Sequence, residues 1–78
     1  MSLGLLRRDY EATLNELASA VGLDYEELAR FCGDIENGSY GALKLKEFFK
    51  APEIIDMLDR LAELSDQYRK KALPAKTC

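Results

Sequence analysis

Apolar residues recur every three or four positions through the first part of the chain, with polar residues between them. The repeat is formed by Leu6, Tyr10, Leu14, Leu17 and Val21. Side chains at this interval lie on one face of an α-helix. The pattern predicts a first helix from about Leu3 to Val21, with an apolar stripe that Ala18 widens.

A second long apolar pattern begins at Pro52, which suits the first position of a helix because proline lacks an N–H group. The predicted helix extends from about Pro52 to Ala72. Its apolar positions form two overlapping rows, Ile54-Met57-Leu61-Leu64-Tyr68 and Leu58-Leu61-Ser65-Tyr68-Ala72. A face this wide can pack against two neighbours. Two alternatives follow: the first row is a protein interface with the same helix of a second chain, or the whole face is intramolecular core.

Two shorter helices are predicted between these long ones. The earlier runs from about Tyr25 to Gly33 or slightly beyond, and the later from about Tyr40 to Lys50, after a break at Asn37-Gly38-Ser39 in which Ser39 caps the second of them. Their expected core residues are Leu28, Phe31, Cys32, Leu43, Phe48 and Phe49. The prediction is an all-α, small four-helix bundle with a long C-terminal helix. Residues 1–73 form one domain, and residues 74–78 are a frayed tail.

The connection between the first two helices carries several turn signals. Gly22 adopts a positive φ at low cost, as the residue after a helix end often must. Asp24 and Glu27 form a capping-box pattern, and Leu23 and Leu28 form a hydrophobic staple. These signals predict a tight corner of helix-turn-helix type.

Two segments resemble phage-repressor-type (Xre/Cro-like) helix-turn-helix proteins. Glu16-Leu17-Ala18 followed by Val21-Gly22-Leu23 is similar to the second helix and turn of that family, and Ile35-Glu36-Asn37-Gly38 is similar to the end of its recognition helix. The spacing between the segments is about one helical turn longer than is usual in the family. The resemblance implies a helix-turn-helix-like core and DNA-linked transcription regulation.

Charge argues against the expected reading face. From Leu23 to Tyr40 the chain has five carboxylates and one cation, Arg30, and the whole chain carries a net charge of −3. Because affinity for DNA comes largely from neutralisation of phosphates by Lys and Arg, this face would repel a duplex. Basic residues occur elsewhere and would form one patch if the termini fold near the third helix: Arg7, Arg8, Lys44, Lys46, Lys50, Arg69, Lys70, Lys71 and Lys76.

The residues needed for most catalytic chemistry are missing. The chain has no histidine and no glycine-rich phosphate loop, and Cys32 and Cys78 lack the spacing of a metal or redox motif. We therefore expect a protein that is not an enzyme and binds no cofactor or metal. No apolar run approaches the length of a bilayer span, and the first residues do not form a signal peptide. The expected location is cytoplasmic, without a membrane partner.

Two hypotheses of different classes follow. In the first, the protein is a helix-turn-helix regulator that dimerises through the fourth helix and contacts DNA with Arg30, Lys44, Lys46 and Lys50. In the second, it is an acidic helical adaptor that binds a protein partner with a basic surface. The adaptor would use the acidic face of the second helix and the apolar rim of the fourth, which comprises Ile54, Met57, Leu61, Leu64 and Tyr68.

Overall fold

The chain folds into four helices without a strand over residues 2–72, the part that the computed structural model describes. The helices are α1 (Leu3–Val21), α2 (Tyr25–Cys32), α3 (Gly38–Leu45) and α4 (Pro52–Ala72). This confirms the predicted all-α four-helix bundle, and α1 and α4 have the predicted bounds. The predicted tail, residues 74–78, lies outside the described residues.

The two short helices differ from their predicted bounds. Helix α2 ends at Cys32, directly before Gly33, and α3 extends from Gly38 to Leu45 and not from Tyr40 to Lys50. Ser39 therefore lies inside α3 and does not cap it. After Leu45 the chain tightens, because the N–H groups of residues 47 and 48 bond to carbonyls three positions back. Such 3₁₀-type bonds are common where a helix ends.

The long helices form the centre of the bundle. Arg7, near the start of α1, contacts Tyr68, near the end of α4, so these helices run antiparallel. Helix α3 packs on α4, and α2 packs against both α1 and α3. Their apolar faces meet in one core, whose fully buried large side chains are Leu6, Leu14, Leu17, Leu28, Leu58 and Leu61.

The corner between α1 and α2 has the predicted glycine conformation. Gly22 is left-handed, with φ 78° and ψ 27°, and the N–H groups of Gly22 and Leu23 both donate to the carbonyl of Ala18. The prediction of a capping box is wrong: Asp24 occupies the N-cap position in an extended conformation, but its side chain makes no capping hydrogen bond. Backbone bonds thus stabilise this corner without help from the carboxylates.

Small residues bring α3 close to its neighbours. A Cβ atom added at Gly41 would lie 2.6 Å from Cys32 Cα, and one added at Gly38 would lie 2.5 Å from a ring carbon of Tyr10. The buried side of α3 consists of Gly38, Gly41, Ala42 and Leu45. Close approach needs small side chains, and the larger residues Tyr40, Leu43 and Lys44 are exposed, whereas Leu45 is buried.

This packing overturns three of the predicted core positions. Leu43 is 62% exposed, Phe48 is 71% exposed, and Phe31 on α2 is 51% exposed. Phe49 is half-buried against the core, and Leu28 and Cys32 are buried as predicted. Phe31 and Leu43 are helical as predicted, whereas Phe48 follows the end of α3. On α3 the contact is made by small residues and Leu45, and not by Leu43.

Candidate interaction surface

The four residues predicted to contact DNA lie in different places. Arg30 is exposed and lines a cleft between α1 and α2 that Arg7 also lines. Lys44 is exposed on α3. Lys46 is half-buried and forms an ion pair with Asp59 of α4, and Lys50 donates from Nζ to the Lys46 carbonyl at 3.1 Å. Lys46 is therefore paired with a carboxylate of α4. Arg30 lies beside α1, away from Lys46 and Lys50 near α4.

The five residues predicted to form a protein interface on α4 belong mostly to the chain's own core. Ile54, Leu61, Leu64 and Tyr68 are buried, and Met57 is half-buried against them. These side chains pack within one chain, so the intramolecular alternative describes this face. A partner of this fold would need a different apolar surface.

Such a surface is present on the outward side of α3 and in the turn after it. Leu43 and Phe48 are large and exposed, and Lys44 and Glu47, which lie between them in the sequence, are exposed as well. We refer to these four residues as the α3 face. Leu43 and Lys44 belong to α3, and Glu47 and Phe48 lie in the 3₁₀-type turn that follows Leu45. Phe31 adds an exposed ring on α2, next to the Cys32 backbone that Gly41 touches.

Helix α2, which packs on the buried side of α3, carries much of the negative charge of the molecule. Asp24, Glu26 and Glu27 are exposed at the start of α2, and Asp34 and Glu36 are exposed in the connection to α3. Lys46, a cation just after α3, is engaged by Asp59. These five carboxylates would attract a basic ligand to the molecule. The composition of α3 carried a signal for the exposed face, since Gly38, Gly41 and Ala42 all fall on the opposite side.

A cluster of cations lies where α1 begins and α4 ends. We call Arg7, Arg8, Arg69, Lys70 and Lys71 the basic end. Arg7 Nη2 donates to Tyr68 Oη at 2.7 Å, and its guanidinium lies 5.4 Å from the centre of that ring. Arg69 makes the same pair of contacts with Tyr40 of α3, at 3.3 Å and 5.2 Å. The start of α1 and the end of α4 thus meet near the start of α3, whereas Lys76 of the predicted patch lies outside the described residues.

The cleft between α1 and α2 has a volume of about 320 Å³. Its apolar lining includes Leu14, Ala29 and Ile35, and its charged lining consists of Arg7, Arg30, Glu11 and Asp34. Two cations and two carboxylates leave this cleft without a net charge. It therefore offers no electrostatic preference for an anion or a cation.

Buried ionisable groups are held in their neutral forms. Burial raises the pKa of the Cys32 thiol to about 11, and burial, followed by nearby Cys32 and Asp34, raises the pKa of Tyr10. The Tyr10 hydroxyl donates to the Gly33 carbonyl at 3.2 Å. A thiol that stays protonated at neutral pH is a poor nucleophile. These two groups have structural positions in the core.

Residues 2–72 contain no group of three or more acidic or cysteine side chains placed to hold a metal ion. Within the same range, none of the helices combines the length and the apolar character needed to cross a bilayer. Comparison of the chain with protein-family models, curated proteins and solved structures finds no match.

Proposed function

We propose that this chain is a non-enzymatic binding module that docks a basic, amphipathic segment of another protein on the α3 face. The observation that supports the proposal is the exposure of Leu43 and Phe48, which are 62% and 71% accessible on α3 and in the turn that follows it. Isolated apolar residues are normal on protein surfaces, but a contiguous group bordered by charge is typical of an interaction site.

The chemistry of the partner follows from the surroundings of the face. Leu43, Phe48 and Phe31 provide apolar and aromatic contact area, and such side chains are enriched at the centres of interfaces. The exposed carboxylates of α2 lie on the neighbouring helix. A partner helix with leucines on one side and lysines at its border would complement both features.

A titration with two designed peptides tests this proposal. The first is an amphipathic Leu/Lys helix, and the second has every lysine replaced by glutamate. We expect chemical-shift changes at Leu43, Phe48 and Phe31 in an NMR titration with the Leu/Lys peptide, and weaker changes with the Leu/Glu peptide. The double variant Leu43→Ser/Phe48→Ser should lose binding and remain folded, because both side chains are exposed.

The matched control is Leu3→Ser/Leu5→Ser, which removes two exposed leucines at the start of α1. This variant should bind the Leu/Lys peptide as the unmodified chain does. Equal loss in both double variants would show that general apolarity, and not the α3 face, controls binding. Equal binding of the two peptides would contradict the charge argument.

A second candidate function is DNA-linked regulation of helix-turn-helix type. The observation in its favour is the tight corner at Gly22, where two backbone N–H groups share the Ala18 carbonyl. Arg30 and Lys44 are its exposed cations on α2 and α3. A titration of a random DNA duplex should then show binding at low salt that Arg30→Gln weakens. Absence of binding even at low ionic strength would exclude this candidate.

A further inference from the structure

We infer that the basic end, together with Tyr40, binds single-stranded nucleic acid. Five cations from two chain-distant segments, residues 7–8 and 69–71, meet at one end of the bundle because α1 and α4 are antiparallel. Lys and Arg clustered on one surface are the electrostatic requirement for binding a phosphate backbone. This surface is distinct from the α3 face and from the helix-turn-helix-like corner.

The arginines of this end are oriented by tyrosines and not by ion pairs. Arg7 is held by Tyr68 and Arg69 by Tyr40, through the hydroxyl and the ring face in each case. Within residues 2–72 the structure shows an ion pair at Lys46 and Asp59, not at these arginines. A neutral tyrosine orients a guanidinium and leaves its full charge, with unused N–H donors, for an anion. Arginine donors in this state suit phosphate oxygens.

An aromatic side chain beside these cations favours single strands over duplexes. Tyr40 is 57% exposed although Arg69 lies over its ring. Proteins that bind single strands combine a cationic path for the phosphates with aromatic rings on which bases stack. Bases in a duplex are already stacked on each other and cannot use such a ring. The exposed Tyr40 therefore indicates an unpaired strand.

The location separates this surface from the other candidates. Helix α1 has 19 residues, which corresponds to a length of about 28 Å at 1.5 Å per residue. The basic end lies at its start, whereas the Gly22 corner and the carboxylates at the start of α2 follow its end. The carboxylates at the start of α2 therefore lie away from the basic end, whereas Glu11 and Asp34 line the cleft that Arg7 also lines.

Fluorescence anisotropy with a labelled 15-nucleotide oligo-dT tests the inference. We expect Lys70→Gln/Lys71→Gln to weaken binding and to lower the slope of log K against log [salt] by about 1.4, since each phosphate contact to a single strand contributes about 0.7. Tyr40→Leu should weaken binding about 5-fold to 150-fold with an unchanged salt slope, because stacking carries no charge.

The control variant Lys50→Gln/Arg60→Gln removes the same charge from exposed positions outside the basic end. It should leave affinity and salt slope close to those of the unmodified chain. Equal weakening by the two double variants would overturn the inference, because net charge alone would then explain binding. Leu43→Ser/Phe48→Ser should bind the oligonucleotide normally, which separates this result from the protein-docking proposal.

Three further outcomes would contradict the inference. The first is no binding of oligo-dT at low salt. The second is a 15-base-pair duplex that binds as tightly as the single strand. The third is binding of the protein to vesicles that contain phosphatidylserine, if the oligonucleotide does not compete with the vesicles for the protein. The vesicle experiment is included because Leu3 and Leu5 are exposed beside Arg7 and Arg8, and leucines among cations also suit an anionic bilayer surface.

Discussion

At the scale of single residues, the closest contact between α2 and α3 depends on the absence of a side chain at position 41. A Cβ at Gly41 would lie 2.6 Å from Cys32 Cα and 3.1 Å from its Cβ. The atoms it would meet belong to a helix backbone, which cannot rotate away as a long side chain can. The two helices would have to separate, and the core behind Cys32 would loosen.

We predict that Gly41→Ala destabilises the fold by about 1–3 kcal/mol, the usual cost of overpacking a core. This cost should exceed the gain of up to about 1 kcal/mol that alanine brings to a helix interior. Gly4→Ala is the control, because a Cβ at Gly4 meets nothing within 4 Å, and it should be neutral or stabilising. Urea unfolding measures both, and equal stabilities would contradict the contact.

A buried hydroxyl joins α4 to the connection between α2 and α3. Ser65 is fully buried, and its Oγ donates to the Ile35 carbonyl at 2.5 Å. We predict that Ser65→Ala costs about 1–3 kcal/mol, since it leaves a buried acceptor without this donor. Ser19→Ala, at an exposed position of α1, should change stability little. Thermal unfolding compares them, and a neutral Ser65→Ala would show that Ile35 finds another donor.

The Cys32 thiol should make stability depend on alkaline pH. Its pKa is raised to about 11 by burial, above the ordinary value of 9.0. The unfolded chain therefore loses its proton first, and the stabilisation, complete below pH 9, is lost as the pH rises towards 11. Tyr10, whose pKa is also raised by burial, adds to the loss at higher pH.

We predict that Cys32→Ala lowers stability at pH 7, by removing a buried side chain, and reduces the decline between pH 9 and 11. Urea unfolding at several pH values measures both effects. In a Cys78→Ser background, Cys32 should react with a thiol reagent only at the rate at which the core opens. Fast labelling at neutral pH, or an unchanged decline in the variant, would contradict the burial argument.

At the scale of elements, two glycines end the first two helices by different conformations. Gly22 is left-handed, with φ 78° and ψ 27°, a region that asparagine also enters. Gly33 has φ 76° and ψ −169°, a region that is essentially restricted to glycine. The first corner therefore accepts a side chain more readily than the second.

We predict that Gly22→Asn costs less than about 1 kcal/mol and that Gly33→Asn costs about 1–3 kcal/mol, the range for a strained backbone position. Urea unfolding followed by circular dichroism measures the free energy of unfolding of both variants under the same conditions. Each variant is the control for the other, since the introduced residue is identical. A Gly33→Asn variant as stable as Gly22→Asn would contradict this order.

At the scale of the whole molecule, the wide apolar face of α4 is satisfied within one chain. Helix α4 packs against both α1 and α3. The residues that were predicted to contact a second chain are mostly buried within this one. A dimer formed through α4 would need the bundle to open. Self-association is therefore not required to cover this helix, although the chain is only 78 residues long.

We predict that the protein sediments as a monomer at tens of micromolar. Leu43→Ser/Phe48→Ser, which alters the α3 face, should not change this behaviour. A dimer in both proteins would contradict the assignment of Ile54, Leu61, Leu64 and Tyr68 to the intramolecular core. A dimer that the double variant dissociates would instead place a second copy of the chain on the α3 face.

Local signals were sufficient to predict four helices, the bounds of the two long ones and the glycine corner. The three-to-four-residue repeat predicted α1 and α4 with their bounds, because a long amphipathic stripe has few alternatives, and Gly22 marked its turn by its low cost at positive φ. The bounds and buried sides of α2 and α3 were predicted less accurately, since a helix of eight residues has only about two turns and its apolar pattern does not define one face. Gly41, Ala42 and Leu45, and not the exposed Leu43, make the contact of α3.

Which residues form the candidate surfaces could be decided only from the tertiary structure. Hydrophobicity identifies a residue that can be buried, but only packing decides which residues find a neighbour, and so Leu43 and Phe48 remain exposed while the α4 rows do not. The sequence by itself determined the helical content, the corner and the lack of histidine chemistry. The tertiary structure alone brought Arg7 next to Tyr68 and Arg69 next to Tyr40, because antiparallel packing joins residues about 60 and 30 positions apart.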